Sequence, residues 1–291
     1  MLSKVYSYGI AGLEAYPVTI ETDIARGLPA TIIVGLPDSA VRESKERVRS
    51  AIRNSGFQFG AKRITVNLSP ADIKKEGPSF DLAMALGILA ATGQVRSDHL
   101  EKYALLGELS LDGHIQPVSG TLPVALEVAK TGFHGLLLPS ANAREAGIAR
   151  QTKIYPVQTL SETVQFLNDP GAFAPYRTDA SELLQKPFVS DVDFSDVKGQ
   201  AHVKRGLEVA AAGNHNVLLI GPPGSGKSML AKRLPTILPD MSLDESLETT
   251  KIHSVMGLLD HHQGIIVTRP FRSPHHTTSD VTLVLQGAVH H

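Results

Sequence analysis

The stretch GPPGSGKS, Gly221 to Ser228, constrains this chain more than any other. It meets the pattern G-x-x-x-x-G-K-[ST] at every required position. HNVLLIG, before it, reads as a short buried strand, and SMLAKRL, after it, as a helix ending near Pro235. Gly221, Gly224 and Gly226 let the backbone curl around Pro222, Pro223 and Ser225 so that its N–H groups face an anion. The start of the following helix adds positive dipole. In such a loop Lys227 reaches the β- and γ-phosphates and the Ser228 hydroxyl ligates Mg²⁺. The motif therefore predicts ATP and Mg²⁺ as ligands.

Composition narrows the rest. The chain has 291 residues, with 28 Lys and Arg against 29 Asp and Glu, so no general charge draws it to nucleic acid or to anionic membranes. Apolar residues make up 42%, enough for packed cores. With no cysteine, disulfides, thiolate metal sites and thiol nucleophiles are excluded, as fits a reducing cytosol. The longest apolar run, Phe80 to Gly93, is shorter than the ~20 residues a membrane-spanning helix needs. The N-terminus has no signal-peptide pattern. A cytoplasmic protein without a membrane partner is expected.

Strands and helices alternate in the first part. PATIIVGLP reads as a buried strand, and Asp38 as the cap of a helix with Val41, Val48 and Ile52 at helical spacing. The charges RESKER between them read as a solvated face, because glutamates interleave the basic residues. KRITVNLSP alternates as a strand does, and YALLGELSLDGHIQPV reads as a hairpin turning at Asp112-Gly113. GLLLPSANAREAG and KIYPVQTLSETVQFL each read as a strand followed by a helix. From about Pro170 the pattern breaks into a stretch with three prolines that reads as a linker. GQAHVKRGLEVAAAG then reads as a helix. The expected organisation is a domain over 1–170, a linker over 171–192 and a second domain over 193–291.

FSDVKGQAHVKRGLEVAAAGNHNVLLIGPPGSGKSMLAKRLPTILP closely resembles the start of the AAA+ module of magnesium-chelatase-like ATPases. RPFRSPHHTTSD, Arg269 to Asp280, is similar to a signature of the same group. Joined to this N-terminal half, they resemble the YifB/ComM family of bacteria. The resemblance implies an α+β Lon-protease-like domain of the S5 domain 2 type, followed by a partial α/β P-loop AAA+ domain. It places Val197, Gly199 and Gln200 near the adenine. It further implies, for the full-length form, a hexameric homo-oligomeric ring and an ATP-driven motor on DNA, with helicase or branch-migration activity in natural transformation. An acidic Walker B strand should follow SPHHTTSD, but the chain reads VTLVLQGAVHH there, and LDES, Leu243 to Ser246, follows a proline-rich turn. This chain is therefore expected to bind ATP without hydrolysing it.

EGPSFD matches the position of the Lon serine motif, which raises Ser79 as a nucleophile. A serine needs a base, and the resemblance places Leu122 where the Lon lysine belongs, with Lys130 about two helical turns on. Lys74 and Lys75 are expected to face solvent. Ser79 is accordingly read as the cap of the Phe80–Gly93 helix, and no catalytic residue is assigned. A Ser79-dependent peptidase and a non-catalytic interaction protein are the alternatives. The pairs His261-His262, His275-His276 and His290-His291 lack metal-ligand spacing, although the resemblance gives His275 and His276 a contact with DNA or a neighbouring subunit.

Overall fold

A computed structural model describes residues 2–96, 98–177, 192–259 and 264–273. The chain divides into two compact units, residues 1–180 with 250–264, and residues 181–249 with 265–291. It is a mixed α/β protein.

The first unit is built on a mostly parallel sheet. Its strands are β1 (Leu2–Ala11), β2 (Glu14–Ala25), β3 (Ala30–Val34), β4 (Arg63–Ser69), β5 (Tyr103–Leu105), β8 (Gly135–Pro139) and β9 (Ile154–Val157). They lie in the order β3-β4-β2-β1-β5-β8-β9. β1 and β2 form a long antiparallel hairpin from Leu2↔Asp23 to Ala11↔Glu14. β2 and β4 are also antiparallel, and the remaining neighbours are parallel. A small separate hairpin pairs β6 (Glu108–Leu109) with β7 (Ile115–Gln116).

The period-two alternation of strand side chains decides which core each residue joins. Val5, Leu105, Leu137 and Tyr155 point into one core, which packs under α1 (Ser39–Asn54), α2 (Asp81–Ala91) and α5 (Leu160–Asn168). Tyr8, Ala104, Leu136, Leu138 and Ile154 point to the other, under α3 (Thr121–Val128) and α4 (Ala143–Ala146). At the β4-β2 end one face carries Ile64, Val66, Leu68, Val18 and Ile20. The opposite face is polar, and Asn67 donates to its cross-strand partner Glu21 at 3.1 Å.

Two expectations fail here. β3 is not a buried strand: it is the sheet edge, half-buried, with Val34 exposed. Nor does Ser79 cap α2. The helix begins at Asp81 after Phe80, whose φ −90° and ψ −7° are already helical, and no side chain caps it. Ser79 lies one residue too early, in the turn closed by Asp81 N–H on the Pro78 carbonyl at 3.1 Å. Asp38 does cap α1, accepting from Val41 N–H at 2.7 Å and from Gly77 N–H at 3.2 Å. Just before that cap, Gly35 has φ +99°, and a Cβ there would lie 2.0 Å from the Leu68 carbonyl oxygen.

The start of α2 is fixed instead by charge. Asp81 is fully buried, yet its carboxylate accepts from Arg47 Nε at 2.8 Å, from the Ser44 hydroxyl and from Leu109 N–H at 3.3 Å. Burial pushes the Asp81 carboxyl up, against the pull of Arg47 and Ser44. Its place in the first helical turn favours the charged form.

The expected linker is partly described. Pro170–Ala172 forms a 3₁₀ turn, Phe173 packs on the core, and Tyr176 N–H donates to the Ile154 carbonyl at 2.7 Å. Residues 178–191 of that stretch lie outside the described residues.

Arg47→Ala should destabilise the first unit by about 3 kcal/mol, the low end for breaking a buried ion pair, because the Arg47 side chain is 23% exposed. A urea midpoint lowered accordingly, at unchanged m-value, is the expected outcome; a shift under ~0.5 kcal/mol would remove the pair from its structural role.

Candidate functional site

In the second unit α6 (Ala201–Ala212), α7 (Lys227–Arg233) and α8 (Leu243–Val255, whose last turns group with the first unit) carry the motifs. A small core of Phe194, Val197, Leu207 and Leu230 holds α6 against α7, with Leu219 packed on it. Leu219 belongs to HNVLLIG, the expected buried strand. Among the described residues that segment pairs with no strand, and Leu218 and Ile220, on either side of Leu219, are 82% and 87% exposed. The alternation of a strand is present, but a strand needs a neighbour for its N–H and C=O groups. The described part of the second unit is therefore helices and loops without a ladder, not yet an α/β sheet.

The glycine-rich turn lies between Leu219 and α7. Gly224 and Gly226 have φ +80° and +86°, conformations that side-chain-bearing residues rarely adopt. Lys227 turns back over the loop, its ammonium donating to the carbonyls of Gly221 at 2.7 Å and Pro222 at 2.8 Å, with the Ser225 hydroxyl at 3.4 Å. Ser225 N–H donates weakly to the Pro222 carbonyl at 3.3 Å, while the N–H groups of Gly224 and Gly226 have no partner among the described residues. Pro223 and Ser228 are exposed.

The segment expected beside the adenine comes to the same loop. Gly199 and Gln200 both have positive φ, +69° and +52°, and the Gln200 side-chain amide donates to the Ser225 carbonyl at 3.0 Å. Val197 is buried, so its side chain serves the core, while its carbonyl accepts from Lys204 Nζ at 3.2 Å.

LDES belongs to a helix start, not to a strand. Ser242 and Glu245 cap α8 reciprocally at 2.8 and 3.2 Å. Arg269, first residue of the RPFRSPHHTTSD signature, grips both Glu245 oxygens at 3.1 Å and donates to the Pro239 carbonyl at 2.9 Å. Hydrogen bonds from Ser242 and Arg269 hold the Glu245 carboxyl below its usual range. The histidine pairs 261–262, 275–276 and 290–291 lie outside the described residues.

Around Ser79 the structure assembles a scaffold. The Ser79 carbonyl accepts from Gly107 N–H, and Leu82 N–H donates to the Gly107 carbonyl, each at 3.0 Å. Leu122 is fully buried in α3, and its N–H donates to the buried Glu145 carboxylate at 3.0 Å. Glu145 also accepts from the Asn142 amide at 3.4 Å and from the Ser254 hydroxyl. Lys130 is exposed and paired with Glu127 at 2.7 Å. Lys74 is exposed and paired with Glu76 at 2.7 Å, as its expected solvent exposure requires.

Lys75 overturns the same expectation. It is fully buried, because its backbone bridges Pro37 while Lys75 N–H donates to the Leu36 carbonyl at 3.0 Å. Its ammonium donates to the Ile73 carbonyl at 2.6 Å, and desolvation pulls its pKa down. Alternation explains the burial: a bridge between neighbouring chain segments sends adjacent side chains to opposite sides. Among the described residues no lysine hydrogen-bonds the Ser79 hydroxyl.

Comparison with known proteins places both halves in one group. Residues 20–142 match the family described as "Subunit ChlI of Mg-chelatase", and residues 193–290 match "Magnesium chelatase, subunit ChlI". The chain is 42% identical to Competence protein ComM of Haemophilus influenzae over 99% of its own length and 56% of that protein's. It is 43% identical to YifB of Escherichia coli, again over 99% of this chain and 56% of the relative. Lon protease of Chloroflexus aurantiacus is 28% identical over 53% of this chain and 20% of its own length. The chain thus spans about half the length of the curated relatives it matches. Two ChlI matches, over residues 20–142 and 193–290, with ComM and YifB aligned over 99% of the chain, show that the chain belongs to the ComM/YifB family of magnesium-chelatase-like AAA+ proteins.

Proposed function

We propose that this chain is the nucleotide-binding portion of an ATP-driven motor that acts on DNA as a homo-oligomeric ring, with a Lon-like, non-catalytic front domain. The observation that carries the nucleotide reading is the Lys227 ammonium seated on the Gly221 and Pro222 carbonyls, inside a loop whose Gly224 and Gly226 N–H groups have no partner among the described residues. A positive group thus sits in the same loop as backbone donors without a protein partner among the described residues, and the residues fit a polyphosphate. Gly224, Gly226, Lys227 and Ser228 would hold the phosphates, Ser228 would ligate Mg²⁺, and Gln200 would fix the loop from the adenine side. The bound Mg-nucleotide supplies phosphoryl-transfer chemistry; to these residues we assign its binding and orientation, not turnover. Lys227 would exchange two backbone carbonyls for phosphate oxygens.

Membership of this family supports the ring and the AAA+ reading, and the name of the Haemophilus relative, a competence protein, supports action on DNA. Among the described residues no helix is long and apolar enough to cross a membrane. For the front domain, the partial likeness to Lon supports the fold, and the buried Leu122 supports the loss of proteolysis.

ADP with Mg²⁺ should raise the melting temperature of the wild-type chain, since ligand at 100-fold above Kd adds about 2.7 kcal/mol. Lys227→Ala should weaken binding at least ~10-fold in calorimetry, about 1.4 kcal/mol. Equal affinities for the two proteins would remove the loop from nucleotide binding.

The non-catalytic reading of the front domain has its own check. Casein and fluorogenic peptides should stay intact, and a serine-directed phosphonate should label wild type and Ser79→Ala equally. Labelling lost only in Ser79→Ala would restore the peptidase.

A further inference from the structure

Helix α1 carries Lys45, Arg49 and Arg53, spaced four residues apart and hence on one face. That face borders an open cavity of about 270 Å³, whose other walls include Lys62, Phe59 and the start of the edge strand β3. A single carboxylate, Glu46, also lines it. All four cations are exposed, and none makes an ion pair among the described residues. Several cations elsewhere on this unit do have partners, as Arg47 has Asp81, Lys74 has Glu76 and Lys130 has Glu127. Like charges at this spacing repel one another and destabilise the helix that carries them. Among the described residues no ion pair offsets that repulsion.

The aromatic ring narrows the ligand class. Phe59 is half-buried against the core, and the guanidinium carbons of Arg49 and Arg53 lie 6.0 and 5.9 Å from its centroid. Both guanidiniums lie over the ring, so a base would stack on the guanidinium planes or take their place on the ring once they turn to phosphates. From Lys45 to Arg53 the cations span ~12 Å of helix, more than one phosphate group covers. An isolated phosphate calls for converging donors, whereas a row of cations suits a linear polyanion. A polyanion that also stacks is a nucleic acid, and its bases are free to stack only when single-stranded.

We propose that this face of the first unit binds single-stranded nucleic acid, with Lys45, Arg49, Arg53 and Lys62 on successive phosphates and Phe59 under a base. The sequence reading set the same helix down as a solvated face because glutamates interleave it. The fold gathers the cations beside Phe59 and Lys62 and leaves a single glutamate at the cavity. The site lies in a different unit from the glycine-rich loop and does not depend on nucleotide binding there.

The test uses the full 291-residue chain and a fluorescein-labelled oligodeoxythymidylate of about 20 nucleotides, longer than common single-strand sites. Anisotropy is read over a salt series without nucleotide. Four phosphate contacts predict a log–log salt slope of about −2.8, at ~0.7 per contact on a single strand. Arg49→Ala with Arg53→Ala should weaken binding at least ~10-fold and flatten the slope by about 1.4. Phe59→Leu, which keeps an apolar contact with the core, should weaken binding several-fold and leave the slope unchanged. Lys45→Ala with Lys62→Ala is a second charge-removing pair, free of the Phe59 contacts, should the arginine pair disturb folding by circular dichroism. Lys227→Ala should bind the strand as wild type does, which separates this proposal from the nucleotide reading. Wild-type affinity and slope in both charge-removing pairs would overturn the proposal. So would loss of binding in Lys227→Ala alone. Binding of sodium polyphosphate as tight as that of the oligonucleotide, with no effect of Phe59→Leu, would overturn it in favour of a plain polyanion sink.

Discussion

The Asp81 carboxylate ties three segments that are distant in sequence. Arg47 and Ser44 reach it from α1, the Leu109 N–H from the small hairpin, and the group itself begins α2. α2 is buried along its whole length and has no polar face to orient it. A helix that is apolar all round can rotate without changing its hydrophobic burial. Asp81 fixes that rotation, because only one setting brings the carboxylate to Arg47. The charge thus supplies orientation where apolar packing supplies cohesion. Leu82 and Ser79, clamped to Gly107, follow from that setting.

The two units use glycine and charge differently. In the first, the buried Asp81 is paired with Arg47, while the cations on the outer face of α1 have no ion pair among the described residues. In the second, Lys227 is stabilised by carbonyls of the loop it belongs to, and Glu245 by Arg269 and Ser242. Lys227 can exchange these carbonyls for an anion without leaving a buried charge unpaired. Glu245 is already spent on the helix start and on Arg269. Glu245 of LDES is therefore a structural cap with a bidentate partner.

Much of this was legible in the sequence. Val41, Val48 and Ile52 marked the buried face of α1, and Asp38 its cap. The hairpin at Asp112-Gly113 and the strand–helix order of residues 135–168 followed from alternation and turn residues. The N-terminal β1–β2 hairpin was not among the expected strands, although Val18, Ile20 and Thr22 alternate there. Besides β3, whose place at the sheet edge only the fold reveals, three readings failed because they depend on neighbours distant in the chain. Ser79 looked like a cap, but the helix phase is set by Arg47, which no local pattern reveals. Lys75 looked solvent-exposed until Pro37 and Leu36 came beside it. HNVLLIG has the apolar content of a strand, yet a strand is a property of two segments. For the candidate site, the loop chemistry of Gly221 to Ser228 was fully local and hence readable, whereas the α1 face needed Phe59 and Lys62 to be brought beside it.

Gly35 shows how narrow the tolerance of this arrangement is. Its left-handed backbone and the Leu68 carbonyl 2.0 Å from where a Cβ would lie are independent obstacles to a side chain. Relaxing one would leave the other. From Gly35 the chain passes through Leu36 and Pro37, which meet Lys75, to Asp38, which starts α1. The seat of the basic helix over the sheet edge is therefore set by the width of one hydrogen atom. Substitutions along the cation row can change what the surface attracts. A substitution at Gly35 would shift where that whole surface stands, and natural variation should reach the row long before it reaches the glycine.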